Sequence, residues 1–306
     1  MQLLYALEGV RTPLLDTLMA WITQCGGELV FMAVAITIFW CVSKTCGYYM
    51  LTVGFTGTIL NQFLKLAFRI PRPWVGDPNF TIVESARAEA TGYSFPSGHT
   101  QNVFASFGCG MRWTKQTWLR VVCAVIVVLT ALSRMYLGVH TPLDVGVSFV
   151  IGLALVFALY PLFARIDARP NAMYWVFGAM IVLNLAYLLY AELWPFPADV
   201  DAVNLAEGRK NAYTLLGAVL GMTGAYGIDR KYVRFDVKAV WWAQALKVVL
   251  GLALTVALRA VLKAPLLALF GGHNAAHLLR YFLMVLFAGG VWPMTFRWFG
   301  RLGRKT

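Results

Sequence analysis

Apolar runs long enough to cross a bilayer alternate along this chain with short polar connections, and nine can be drawn. They fall at about 27–43, 47–68, 96–112, 118–138, 143–164, 172–191, 211–228, 240–262 and 275–298, near the roughly 17–25 residues a transmembrane helix needs. Residues 12–24 are too short to span before Gly26-Gly27. They predict an interfacial or re-entrant helix, with Pro13 in its first turn and Asp16 near its positive end. The longest connection of the first half, 70–95, is rich in Pro, Gly, Asp and Glu, and a second boundary falls at Arg169-Pro170. The pattern predicts an all-α, polytopic membrane helical bundle. Its expected organisation is an N-terminal segment over 1–26, a six-span core over 27–191 and a three-span extension over 192–306. No internal repeat or low-complexity tract is visible.

Composition sharpens the class. Of 306 residues, 59% are hydrophobic and 13% charged, against about 25% charged in an ordinary soluble domain. A soluble globular domain is therefore excluded. Met1 to Ala20 lacks a basic leading region and carries Glu8 and Asp16, so a cleaved signal is not expected there. The five cysteines (Cys25, Cys41, Cys46, Cys109, Cys123) show no metal-ligand spacing and read as small apolar packing residues. No cofactor or metal is expected.

The formal charge of +12 invites a nucleic-acid partner, but its placement argues for topology instead. With nine spans the connections alternate between two faces. One face gathers Lys44; Arg112, Lys115 and Arg120; Arg165 and Arg169; Arg230, Lys231, Arg234 and Lys238; and Arg297, Arg301, Arg304 and Lys305. Those fourteen basic residues stand against three acids, Asp167, Asp229 and Asp236. The positive-inside rule makes that face cytoplasmic, with the N-terminus out and the C-terminus in. The expected location is a plasma membrane, bacterial by preference.

Three polar islands then fall on the opposite face. They contain Lys65 and Arg72; Pro96-Ser97-Gly98-His99; and Ser133-Arg134 with His140 and Asp144. A Lys, Arg or Asp at mid-bilayer costs about 2.5–3.5 kcal/mol on insertion scales, so such groups are kept where they line a polar pocket. Lys65 ends the second span, and Pro71 and Pro73 stiffen the backbone around Arg72. Both cations can grip phosphate oxygens; snorkelling to headgroups is the plainer alternative, and the one preferred for Arg69. Ser97 can cap the third span, whose first turn offers free N–H groups to an anion while Gly98 allows close backbone approach. His99 on that turn can donate a proton. Thr141 as cap, Pro142 in the first position and Asp144 in the first turn start the fifth span and bring a carboxylate toward His140. Asp144 could be a cap alone, but a histidine beside it, Arg134 before it and His99 on the same face argue for chemistry. Gln101 and Asn102 read as helix-packing residues. His273 and His277, spaced i, i+4, would need a third ligand to hold a metal. Arg259, Lys263 and Arg280 read as snorkelling side chains, with attraction of anionic headgroups as the alternative.

The pattern Lys-x6-Arg-Pro, Pro-Ser-Gly-His, Ser-Arg-x5-His-x3-Asp resembles the type-2 phosphatidic acid phosphatase superfamily. The resemblance covers about residues 60–145 and implies a six-helix phosphatase core. It implies that His140 is a nucleophile forming a phosphohistidine, oriented by Asp144, with His99 protonating the leaving group. It further implies that Lys65, Arg72 and Arg134, helped by Ser97 and the Gly98 amide, hold the phosphate. The expected activity is metal-independent hydrolysis of a lipid phosphomonoester or diphosphate, with undecaprenyl diphosphate, phosphatidate, phosphatidylglycerol phosphate or a sphingoid phosphate as substrate. The expected partners are that lipid and the bilayer, not nucleic acid. A lipid phosphotransferase using the same phosphohistidine and a headgroup-binding transporter or scramblase are the alternatives.

Overall fold

The computed structural model describes residues 1–303; Arg304 and Lys305, counted above among the cytoplasmic-side cations, lie outside the described residues. Every regular element among the described residues is helical. In chain order these are α1 (Gln2–Glu8), α2 (Pro13–Thr23), α3 (Glu28–Cys41), α4 (Lys44–Phe68), α5 (Pro73–Gly76), α6 (Gly98–Val103), α7 (Cys109–Trp113) and α8 (Thr117–Tyr136). They continue as α9 (Pro142–Phe163), α10 (Ala172–Leu193), α11 (Ala202–Ile228), α12 (Trp241–Val261), α13 (Lys263–Leu269), α14 (Ala275–Leu286) and α15 (Phe296–Phe299). A π-turn over Phe104–Gly108 joins α6 to α7.

Each of the nine apolar stretches folds as helix. Five segments are both long and apolar enough to cross a membrane: Thr117–Tyr136, Pro142–Phe163, Ala172–Leu193, Trp241–Leu269 and Ala275–Phe299. Pro13–Gly26 and Glu28–Cys41, bent by 46° at their junction, make a sixth if counted as one broken span. The others fall short for a physical reason. Asn61, Gln62 and Lys65 dilute α4, and Asn211 with the Gly, Thr and Tyr residues of 213–227 dilutes α11. The protein is an integral-membrane helical bundle.

Helix starts follow local chemistry. Thr12 caps α2 by accepting from the Leu15 amide at 3.3 Å, with Pro13 in the first position. Ser97 caps α6 and accepts from the Thr100 amide at 3.4 Å. Thr141 and Asp144 form a reciprocal capping box on α9, with Pro142 opening it, so both helix-start donors find oxygen.

The chain divides into two compact units. The first holds Met1–Ala35, Tyr48–Arg165 and Asp201–Leu205; the second holds Ile36–Gly47, Ile166–Val200 and the chain from Ala206 on. In the first, Leu4, Phe80, Ile82, Ala131, Met135 and Val145 form a buried cluster that ties α1 and the 69–97 connection to α8 and α9. Burial of such side chains is worth about 1.5–3 kcal/mol each, which is how a polar connection acquires a fixed shape. All the residues singled out as catalytic or phosphate-binding lie in this unit. In the second unit, α11 and α14 press together where glycine removes the side chain. A Cβ on Gly217 would meet the Leu278 carbonyl oxygen at 2.1 Å, and one on Gly221 would meet that of Phe282 at 2.8 Å.

Candidate active site

The site is built at helix ends. After α8 the chain turns through Gly138 at φ +79, where a Cβ would meet the Arg11 guanidinium at 2.8 Å and the Phe80 ring at 3.0 Å. Only glycine takes that turn without strain, and the turn delivers His140 inward, 2% exposed. The capping box then places Asp144, fully buried, one turn along.

Asp144 Oδ2 lies 3.5 Å from His140 Nδ1. The same oxygen accepts the Thr141 amide at 2.7 Å and the Ser94 hydroxyl at 2.5 Å. Ser94 Oγ is itself 3.5 Å from His140 Nδ1, so it sits against both members of the pair. The other ring nitrogen, His140 Nε2, faces Arg72 Nη1 at 3.0 Å. Burial, and then the charges of Arg72, Arg134, Lys65 and His99, hold the His140 imidazole well below its usual range. It is therefore neutral, with a lone pair available on one nitrogen.

Arg72 is pinned by backbone. It donates to the Val139 carbonyl at 2.9 Å, the Gly92 carbonyl at 3.1 Å and the Thr91 carbonyl at 2.6 Å. Burial brings its pKa down to about 10, which leaves it charged at neutral pH. Lys65 Nζ donates to the Tyr93 carbonyl and approaches that of Ser94 at 3.5 Å. The stretch 91–94 thus wraps both cations with carbonyl oxygens. Arg134 is 1% exposed; its Nη1 donates to Thr23 Oγ1 at 2.8 Å, while its Nε is buried without a partner among the described residues.

His99 Nε2 lies 3.2 Å from Glu89 Oε2, and Gln24 Nε2 donates to Glu89 Oε1 at 3.0 Å. The hydrogen bond with His99 pulls the Glu89 carboxyl down to about 2, against a partial burial that opposes it. The Ser97 amide donates to the Asp144 carbonyl at 3.2 Å, while the Ser97 hydroxyl serves α6 as cap. Gly98 opens on free space; the nearest atom to a Cβ there would be Asn61 Oδ1 at 4.0 Å.

Lys65, Arg72, His99, Arg134, His140 and Asp144 therefore converge. Arg69 follows the end of α4 at φ +52. Four participants were missed from sequence. Ser94 and Glu89 lie in a connection read only as polar, and Thr23 and Gln24 end a helix read as interfacial. Only Ser94 carries a sequence signal, since it stands three residues before Ser97. Outside the cluster, His273 and His277 do not share a helical face. His273 precedes α14, takes the Ala275 amide on Nδ1 at 3.1 Å and meets the Tyr213 ring at 5.5 Å. Arg280, read as snorkelling, is 6% exposed and faces the protein interior.

The profile of the PAP2 superfamily matches residues 45–167, and that of the "PAP2 superfamily phosphatase, transmembrane extension" matches 213–305. Undecaprenyl-diphosphatase BcrC of Bacillus subtilis is 30% identical over 151 residues, covering 48% of this chain and 74% of the relative. Phosphatidylglycerophosphatase B of the same organism is 32% identical over 161 residues, 48% of this chain and 75% of the relative. Sphingosine-1-phosphate phosphatase 1 of Rattus norvegicus is 24% identical over 212 residues, 67% of this chain and 47% of the relative. No solved structure matches the chain. The chain belongs to the PAP2 superfamily. It is a phosphatase embedded in the membrane.

Proposed function

We propose that the protein hydrolyses a lipid phosphate or diphosphate through a phosphohistidine on His140, at the extracytoplasmic face of the membrane. The observation that carries this reading is the setting of His140: a buried imidazole with one nitrogen toward Ser94 and Asp144 and the other 3.0 Å from the Arg72 guanidinium.

The chemistry balances without a redox step. Phosphate oxygens bind against Arg72, Lys65 and Arg134 and the first-turn amides at Gly98. The His140 Nε2 lone pair forms the N–P bond as the bond from phosphorus to the leaving oxygen breaks. His99 gives that oxygen a proton. Asp144, through Nδ1, offsets the positive charge gained by the imidazole. Water then attacks phosphorus, loses a proton to His99, and the N–P bond breaks to return neutral His140. Three cations supply the charge stabilisation that phosphoryl transfer requires, so hydrolysis is expected in excess chelator.

The distribution of Lys and Arg supports the extracytoplasmic face, with the N-terminus out and the C-terminus in. The relatives' names motivate the substrate panel: undecaprenyl diphosphate, phosphatidylglycerol phosphate, phosphatidate and a sphingoid phosphate. Purified protein in detergent with excess chelator should release phosphate from at least one of them. Brief incubation with 32P-labelled substrate should leave an acid-labile, alkali-stable label on the protein that His140→Ala abolishes. Release that survives His140→Ala would sink the mechanism, and label passed to an acceptor lipid instead of solution would convert the hydrolase into a transferase.

A further inference from the structure

The second half of the reaction sets a requirement that the groups described above leave open. In-line displacement puts the attacking water where the leaving oxygen stood, beside His99. That water has two O–H groups, and His99 accepts only one of the protons. The other O–H enters a pocket built mainly from donors: Lys65, Arg72, Arg134 and the Gly98 amide. The acceptors around it are engaged. The carbonyls of Thr91, Gly92 and Val139 hold Arg72, that of Tyr93 holds Lys65, and Glu89 is bonded to His99 and Gln24. Asp144 Oδ1 has no partner among the described residues, but its carboxylate lies against Nδ1 of His140, the nitrogen turned away from phosphorus.

Asn61 supplies an acceptor. It lies on α4 four residues before Lys65, so the two side chains share a face of that helix, about one turn apart. Asn61 is 3% exposed, and its Oδ1 is buried with no hydrogen-bond partner among the described residues. The same atom borders the free space at Gly98, where a Cβ would meet Asn61 Oδ1 at 4.0 Å and no other atom nearer. Gly98 directly precedes His99, so this oxygen reaches the first turn of α6, which carries the proton donor. A buried amide oxygen ordinarily finds a donor, because a bare one has lost its water for nothing in return. Packing keeps this one bare. Gln101 Nε2, a buried donor on the α4-facing side of α6, has no partner among the described residues either. It sits against Gly57, where a Cβ would meet it at 2.0 Å, one turn further along α4 from Lys65.

We propose that Asn61 is a further catalytic residue, which accepts the second O–H of the water that hydrolyses the phosphohistidine. The inference rests on the phosphohistidine reading above. As the water oxygen bonds to phosphorus, one of its protons passes to His99, and the electron pair of the breaking N–P bond returns to His140 Nε2. The remaining O–H stays on the departing phosphate, held by Asn61 Oδ1. The first step has no such need, because an ester or anhydride oxygen carries no hydrogen until His99 supplies one. Asn61 therefore acts on release of the protein-bound phosphoryl group and hardly on its formation.

The test follows the two steps separately in the full chain, purified in detergent. Undecaprenyl diphosphate, phosphatidylglycerol phosphate, phosphatidate and a sphingoid phosphate, each 32P-labelled in the terminal phosphate, are screened, and the one that wild type turns over fastest is used. Rapid quench gives the rate at which label appears on the protein, and a chase with unlabelled lipid gives its decay. Asn61→Leu, close in volume, should slow the decay about tenfold and leave the appearance within about twofold of wild type. Asn61→Asp keeps an acceptor oxygen, so its label should decay within about threefold of wild type while KM rises, an anion now lying near the phosphate. Because a bare oxygen adds nothing to folding, Asn61→Leu should unfold at the wild-type temperature or higher. A lower unfolding temperature with unchanged decay would make Asn61 a packing partner of Gln101 and overturn the proposal. Label that forms and decays equally in wild type and variant, or equal slowing of both steps, overturns it too. Should Asn61→Leu fail to fold, Asn61→Ala carries the same measurement. Wild type that never takes up label overturns the phosphohistidine reading itself, and this inference with it.

Discussion

Arg72 in the first unit and Arg280 in the second are buried to the same degree, 6% exposed each, yet they are treated differently by their surroundings. Arg72 spends its donors on the carbonyls of Thr91, Gly92 and Val139 and on His140. Arg280 spends none on hydrogen bonds to described residues. Lys247, 1% exposed in the second unit, resembles Arg72: its Nζ donates to the Trp40 carbonyl at 2.8 Å and the Val237 carbonyl at 3.2 Å. Arg134 stands between, with one bond to Thr23 and a bare Nε. A cation fixed by backbone keeps its position with or without ligand, and that preorganisation makes an electrostatic site effective.

The contrast can be broken hardest at His140. His140→Ala removes the atom that forms the N–P bond and should lower kcat by about a thousandfold or more, the scale for loss of a covalent nucleophile. Thermal unfolding of the same sample checks that the fold survives. Asp144→Asn comes next. It keeps the shape but removes the charge that Nδ1 faces at 3.5 Å, and kcat should drop about a hundredfold with KM little changed. An equal rise in KM would instead mark Asp144 as part of substrate binding. Ser94→Ala is smaller. It removes the 2.5 Å bond to Asp144 Oδ2 while Thr141 still holds that oxygen, so kcat should fall about tenfold. Ser94→Thr should restore part of it, which a purely packing role would not predict.

The convergence of His140 and Asp144 was legible because both belong to one helix start, whose capping grammar reads directly from Thr-Pro-Leu-Asp. Lys65, Arg72, His99 and Arg134 were legible as charged groups in apolar company, where burial without purpose is costly. What was not legible lay in the backbone and in long-range contacts. That the carbonyls of Thr91, Gly92 and Tyr93 would hold the cations depends on the path of the 69–97 connection, which Phe80 and Ile82 anchor by apolar burial. That Thr23 would reach Arg134 depends on where α2 ends against α8, and no local periodicity encodes it. Arg280 was misjudged for a related reason. Sequence gives a residue's depth along a helix, but not whether that side of the helix meets lipid or protein.

The finest distinction concerns Glu89, which gives the site a second histidine–carboxylate contact beside His140–Asp144. Its pKa, pulled to about 2 by His99, keeps it anionic at any pH suited to an assay. The depressed value means its contribution to stability is complete above the ordinary carboxylate range and is lost only as pH falls toward 2. With the side chain 42% exposed, solvent screening keeps that contribution small. Its effect should therefore appear in chemistry. An anion 3.2 Å from His99 Nε2 offsets part of the burial and of the Arg134 charge that disfavour the protonated ring, the form that must deliver a proton to the leaving oxygen. In Glu89→Gln the alkaline limb of the kcat profile should move to lower pH, and kcat at neutral pH should fall about three- to tenfold. The acid limb sharpens the comparison. Because His140 is held well below 6.5, activity should not decline on its account as pH drops through that value. An acid limb centred near the ordinary histidine range, unchanged in Glu89→Gln but absent in a burst of the first turnover, would place the loss in product release. The same limb present in the burst would show that His140 takes up a proton more readily than its buried, cation-lined setting permits.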